Sequence, residues 1–178
     1  MTRKPVVTVV ADLCLDMVFT GEVTPVYGQV EQFVHDYDLE LGGSAAIFAS
    51  QFTKLGGAVA LYGTVGDDLF GHFIQRRLQE LGMSTEYIHT CRDYKTAVGL
   101  GLARSGDRAM LTYQGSMNGI NAAEINQSGI LQKATHLHIA SYFLLNQLQS
   151  FWTEVLPILK QKGMTISLDT NWSPREDW

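Results

Sequence analysis

The chain has 178 residues, 46% of them hydrophobic, enough for one domain with a full core. Its 18 acidic and 13 basic residues give a formal net charge of −5, and the scattered Lys and Arg argue against a nucleic-acid surface. Two cysteines, Cys14 and Cys91, form no disulfide framework and lack metal spacing, and no apolar run has the length of a membrane span, so a cytoplasmic protein with no membrane partner is expected.

The basic start, residues 1–4, precedes an apolar stretch broken by Asp12 and Asp16, which argues against a secretory signal. Residues 6–11 are rich in β-branched side chains, the pattern of a central strand covered on both faces. Residues 17–41 break into short β-rich pieces at Gly21, Pro25 and Gly28 and read as a small sheet outside the core. A helix is predicted over 44–55, stopped by Gly56 and Gly57, then a buried strand over 59–62 and a helix over 69–81 capped by Asp67 or Asp68. Residues 95–103 and 108–113 flank Ser105-Gly106-Asp107, a hairpin. A short helix follows at 122–126, with Asn121 as cap and Glu124 three positions on. Residues 136–140 form another core strand. Residues 147–161 form a helix with Leu148, Trp152, Val155, Leu156 and Leu159 on one stripe, which Pro157 should bend or shorten. A last strand over 164–168 ends at Asp169. Strands alternating with helices indicate α/β layers on a mostly parallel sheet, and the segments at about 17–41 and 94–113 suggest one lid sheet over an edge.

Asp16 lies just past the first strand, where ligands gather in parallel sheets, and a carboxylate accepts two hydroxyl hydrogen bonds. A turn residue or exposed charge is the alternative. Asp12, nearer the strand interior, reads as structural. Gly42 and Gly43 let a ligand approach amides at a positive helix N-terminus, although a plain turn also uses them. Ser44 reads as an N-cap, a ligand contact, or both. His136 and His138 share a strand face, and with no further ligands nearby they read as ordinary strand residues; no metal site is assigned.

The succession Gly42-Gly43-Ser44-Ala45-Ala46-Ile47-Phe48-Ala49, Leu55-Gly56-Gly57 and Gly63-Thr64-Val65-Gly66-Asp67-Asp68-Leu69-Phe70-Gly71 resembles the first signature region of the PfkB/ribokinase-like carbohydrate kinases. The strand ending at Asp16 is similar to the family's opening strand, whose Asp holds sugar hydroxyls. Lys95-Thr96-Ala97-Val98 and Thr135 to Ser141 stand where the family has lid and core strands, and Asp169-Thr170-Asn171 resembles its Asp-x-Asn. The resemblance, from Val6 to Asn171, implies a Rossmann-like three-layer α/β/α core with a mostly parallel sheet and a small β-sheet lid. It implies the sugar-binding half of an ATP-dependent carbohydrate kinase that uses ATP and Mg2+ and acts on a sugar or sugar acid. The residues 169–178 resemble sugar-acid and fructose-type members more than nucleoside kinases. Asp16, Gly42, Gly43, Ser44, Thr96, Asp169 and Asn171 are the implied substrate-side residues, and a homodimer through the lid is implied as partner.

Two positions depart from the family: Ile47 stands where Asn is usual, and Cys14 where Asn is often found. Family members are longer and carry a Gly-Ala-Gly-Asp motif with the anion hole and catalytic Asp in a C-terminal half. The chain ends at Trp178, before that motif, so the C-terminal part of the fold and the catalytic Asp are expected to be absent and the chain inactive alone. Ser105-Gly106-Asp107 imitates the motif without a helix behind it. Asn121-Ala122-Ala123-Glu124 imitates the family's Asn-x-x-Glu but precedes the Asp-x-Asn strand instead of following it. A non-catalytic sugar-binding or dimerising module is the alternative. A Rossmann nucleotide-binding protein is disfavoured, because no Gly-x-Gly-x-x-Gly follows the first strand.

Overall fold

The computed structural model describes residues 6–174 and 176; the basic start and, at the other end, Arg175, Asp177 and Trp178 lie outside the described residues. β1 (Val6–Val10), β4 (Ala58–Gly66), β5 (Tyr87–Cys91), β8 (His136–Ile139) and β9 (Thr165–Leu168) form a parallel sheet in the order β5-β4-β1-β8-β9. β1 lies at its centre, and alternate side chains go to opposite faces as the pleat requires. Val7, Val9 and Ala11 pack with Ala45, Ala49, Ile74 and Leu78, from α1 (Ser44–Lys54) and α2 (Leu69–Glu80). Val10 packs on the other side with Ile125, Ile130, Trp152 and Leu159, from α3 (Ala122–Gln127), α4 (Ile130–Lys133) and α5 (Gln149–Gln161). The result is the expected three-layer α/β/α core. Thr8 is fully buried in it and donates its hydroxyl to the Ile130 carbonyl, 3.2 Å away. No helix among the described residues is long and apolar enough to cross a membrane.

The second sheet contains β2 (Cys14–Thr20), β3 (Asp36–Gly42), β6 (Ala97–Arg104) and β7 (Asp107–Tyr113), in the order β3-β2-β6-β7. β2 runs parallel to β6, and the outer pairs are antiparallel. Its first strand starts at Cys14, earlier than the β-rich sequence at 17–41 suggests, so Asp16 sits within a strand and not in a turn. Residues 21–35 carry no regular strand or helix. Ser105 and Gly106 turn the β6–β7 hairpin, with Gly106 at φ 77°.

Three further elements differ from the sequence pattern. β5 has no clear alternation in Tyr-Ile-His-Thr-Cys and exists because it pairs with β4 from Tyr62 through Gly66. The same pairing carries β4 four residues past the predicted end at Tyr62. α5 begins at Gln149, after a 3-10 turn at Asn146–Leu148, and runs unbroken through Pro157 to Gln161. Pro157 is exposed, so the Thr153 carbonyl left without an amide partner can face water.

Asp68 joins the two sheets. It is the N-cap of α2 and accepts the Gly71 amide at 2.9 Å. The same carboxylate accepts the Thr96 amide at 2.8 Å and the Thr96 hydroxyl at 2.7 Å, just before β6. Thr96 Oγ1 in turn accepts the Gly66 amide at 2.9 Å. Burial acts to raise the Asp68 pKa, but the bonds from Thr96, Gly71 and Phe70 outweigh it and hold the carboxyl below its usual range. A depressed folded pKa means that this carboxylate stabilises the fold above the unfolded value near 4 and loses that contribution as pH falls through the folded value. Asp68→Asn should therefore lower stability by about 1–3 kcal/mol at pH 7. Chemical denaturation across pH should show the gap to wild type closing below about pH 4. A gap independent of pH would refute the assignment.

Candidate functional site

Ligands of parallel α/β sheets collect at the carboxyl ends of the strands. At that edge β1 delivers Asp12, 1% exposed, against the start of α1. Its Oδ2 accepts the Ser44 amide at 3.2 Å and its Oδ1 the Ala45 amide at 3.0 Å, and Ser141 donates its hydroxyl to the same group. Asp12 thus caps α1 from outside the helix. The residue at the N-cap position, Gly43, has φ 89° and no side chain to do so. A Cβ on Gly43 would lie 1.9 Å from the Asp12 carbonyl oxygen, so only glycine permits this approach. Burial pushes the Asp12 carboxyl up, against the bonds from Ser141, Ala45 and Ser44 that pull it down.

Two sequence expectations are corrected here. Ser44 is not the cap but the first helical residue, and its Oγ lies 2.6 Å from Ser141 Oγ. The Ser44 and Ala45 amides of α1 are not open to a ligand, because Asp12 already takes them.

Ser141, buried at the end of β8, and Asn171, beyond β9, both hold positive φ, 54° and 58°. Such conformations cost energy and cluster at functional sites. Asn171 Nδ2 donates to Ser141 Oγ at 3.4 Å, and the Asn171 amide donates to Asp169 Oδ1 at 3.0 Å. Ser141 gives its one hydroxyl proton to Asp12, so Ser44 must donate to Ser141. The Ser44 oxygen is then left as an acceptor.

Asp16 has a different environment. Its carboxylate stands over Gly42, where a Cβ would come within 2.2 Å of Asp16 Cγ, and beside Gly99 of β6. Burial raises its pKa, while the Cys14 thiol and the charge of Arg108 lower it. Among the described residues the Cys14 thiol, whose one proton also points to the Leu15 carbonyl at 3.4 Å, is the only donor that acts on it, which leaves most of its acceptor capacity open.

Asp16, Gly42, Gly43 and Ser44 are thus contiguous, and Asn171 and Asp169 join them through Ser141. Thr96 stands apart, 1% exposed, with its amide and hydroxyl used in the Asp68 junction. Ser141 carries no signal in the sequence beyond its place at the end of the Thr135 to Ser141 segment. His136 bonds Thr165 and Ser167 hydroxyls at 2.8 Å, and His138 bonds Ser167 at 2.7 Å beneath the Phe48 ring. A cavity of about 600 Å³ opens at the opposite edge, between residues 134–135, residues 163–164 and α5, remote from this cluster.

The chain matches the family of pfkB carbohydrate kinases over residues 7–177. It is similar to the fructokinase of Vibrio alginolyticus, with 30% identity over 132 residues, 73% of this chain and 43% of that protein. The ribokinase from Giardia lamblia superposes with a TM-score of 0.79 at 17% identity, over 98% of this chain and 53% of that one. The Arabidopsis thaliana ribokinase complexed with ribose and ATP gives a TM-score of 0.74 at 18% identity, over 96% and 54%. The chain therefore spans about half the length of the proteins it matches, or somewhat less.

Removing the Asp12 side chain leaves two helix amides and a buried hydroxyl without their acceptor. Asp12→Ala should cost about 2–4 kcal/mol and lower Tm by roughly 5–15 °C. Asp16→Ala, which removes a carboxylate held at a desolvation cost, should leave Tm within about 2 °C or raise it. Thermal unfolding of both variants checks the contrast; equal losses would overturn it.

Proposed function

Because the chain belongs to the pfkB family of carbohydrate kinases, we propose that Asp16, Gly42, Gly43 and Ser44 hold the acceptor of an ATP-dependent phosphoryl transfer, a sugar or sugar acid. The observation that carries this is the half-buried Asp16 carboxylate, short of donors and set between glycines at the carboxyl edge of the sheet. It accepts two neighbouring hydroxyls, the Ser44 oxygen accepts a third, and Asn171 and Asp169 border the site. The second sheet covers the acceptor and keeps water from competing with it. Asp16 binds and orients; proton removal is not assigned to it.

ATP with Mg2+ supplies the phosphoryl group and neutralises its charge. The N-termini of α1 and α2 are already capped by Asp12 and Asp68, and among the described residues no three His, Cys, Asp or Glu side chains converge on one point. No nucleotide or metal contact is therefore assigned to residues of this chain. The chain alone binds acceptor without turnover. The outer part of the second sheet presents Phe19, Tyr37, Leu111 and Tyr113 on one face, which supports a homodimer through it. Two free cysteines suit a cytoplasmic setting.

Isothermal titration against a panel of sugars and sugar acids tests the site. Asp16→Ala should weaken binding tenfold or more, since hydrogen bonds to a charged group are worth about 1.5–3 kcal/mol each. Unchanged affinity rules Asp16 out. In a coupled assay the 178-residue chain should consume no ATP in response to sugar; turnover abolished by Asp107→Ala would assign the catalytic acid to the hairpin instead.

A further inference from the structure

We propose that His136, Ser167 and His138 form a pH-sensitive latch that holds β9, and with it Asp169 and Asn171, against β8. What the latch regulates rests on the reading of Asp169 and Asn171 as the border of the acceptor site; the latch itself does not. His136 stands in register with Thr165 and His138 with Ser167, on the face that carries Val7 and Val9 of β1. Four hydroxyl and imidazole contacts run along this face. Thr165 Oγ1 lies 3.3 Å from the Thr135 carbonyl oxygen and 2.8 Å from His136 Nδ1. Ser167 Oγ lies 2.8 Å from His136 Nε2 and 2.7 Å from His138 Nδ1.

The supply of protons fixes the direction of this chain. A hydroxyl has one proton, and a neutral imidazole has one N–H and one acceptor nitrogen. The Thr135 carbonyl only accepts, so Thr165 donates to it and must accept from His136 Nδ1. His136 Nε2 is then an acceptor, Ser167 donates to it, and His138 Nδ1 donates to Ser167. Both neutral rings are therefore Nδ1–H tautomers, and His138 Nε2 is left as an acceptor. One added proton sits on His138 Nε2 with every bond kept. A second makes donors of all four ring nitrogens, leaves the Ser167 proton without its acceptor and sets two like charges on one hydroxyl. The latch tolerates one charge and not two.

The surroundings oppose even the first. Burial and the neighbouring His136 lower the His138 pKa, against the Asp169 charge that raises it. Of the other elements packed against His138, β1 brings Val9 and α1 the Phe48 ring at 3.9 Å, and neither ionises. A depressed imidazole pKa means that the folded chain binds this proton more weakly than the unfolded chain does. The latch has full strength above the unfolded value near 6.5 and loses it as pH falls from there towards the folded value. β9 is the element that responds. It has four residues, pairs on one side among the described residues, and leads through Asp169 to Asn171, whose bond to Ser141 is a long 3.4 Å.

Nitrogen NMR of the 178-residue chain should show both rings as Nδ1–H tautomers at about pH 7.5, the less common form of free histidine. Amide exchange over residues 165–171, corrected for its intrinsic pH dependence, should be about fivefold less protected at about pH 5.5, with β1 unchanged. His138→Gln, which keeps an N–H donor and gains no proton, should stay closed at the lower pH. Ser167→Ala should be open at both, and Ser167→Thr, which keeps the hydroxyl, should behave as wild type. An Nε2–H tautomer at either neutral ring, or wild-type protection that does not change with pH, overturns the latch. Titration with sugars at both pH values carries the regulatory part: affinity should fall with pH in wild type and hold in His138→Gln. An equal fall in both refutes the coupling to the site and leaves the latch standing. Binding of no sugar removes the acceptor site and this coupling together, while the tautomers and the exchange decide the latch.

Discussion

Three donors from two other segments converge on the Asp12 carboxylate where β1 ends: the Ser44 and Ala45 amides and the Ser141 hydroxyl. A buried carboxylate is tolerated only when its oxygens are well bonded, and its raised pKa shows that burial still outweighs those bonds. The rest of the edge follows from this contact. Capping α1 from β1 fixes the helix over the sheet and requires glycine at 43. It also holds Ser141 in its left-handed conformation, through which Ser44 and Asn171 are tied together.

Asp12 and Asp16 lie four residues apart and have opposite environments for a physical reason. The first is saturated by donors of the protein and cannot serve a ligand. The second is half-buried between glycines with few donors, so its desolvation is left largely uncompensated by the protein. Asp68 is a third case: its bonds outnumber its losses, its pKa falls, and it stabilises the fold. Donor supply, more than residue type, separates a carboxylate left open from one used by the fold.

The second sheet is tied to the core in two ways. At its base, Cys14 and Ala97 enter the core cluster of Trp152 and Tyr62, while Leu15, Leu41 and Val98 enter that of α1 and α2. The Asp68–Thr96 junction then sets where β6 departs. With both faces of the base anchored, the outer half can present glycines and the charged residues Asp16, Asp36, Asp38, Glu40 and Arg108 on one side and exposed apolar residues on the other.

Much of this was legible in the chain itself. Periodicity and glycine stops located the main helices and the β1, β8 and β9 strands, because burial on one or two faces leaves a local imprint on which residues are apolar. Asp68 as a cap and Gly106 as a turn were equally local. What the sequence could not show depends on partners distant in the chain. β5 exists only through its register with β4. Ser44 is not the cap because the helix already includes it, with Gly43 at the N-cap position and Asp12, 32 residues earlier than Ser44, accepting the first two helix amides from outside. Thr96, placed beside the substrate by resemblance, bonds Asp68 and Gly66, which are far from it in sequence. Arg108 and Asp16 share a face only through two strand registers. Local propensity is written in neighbouring residues, whereas hydrogen-bond saturation and the facing of charges are set by which strands pair, and that was decided only when the chain folded.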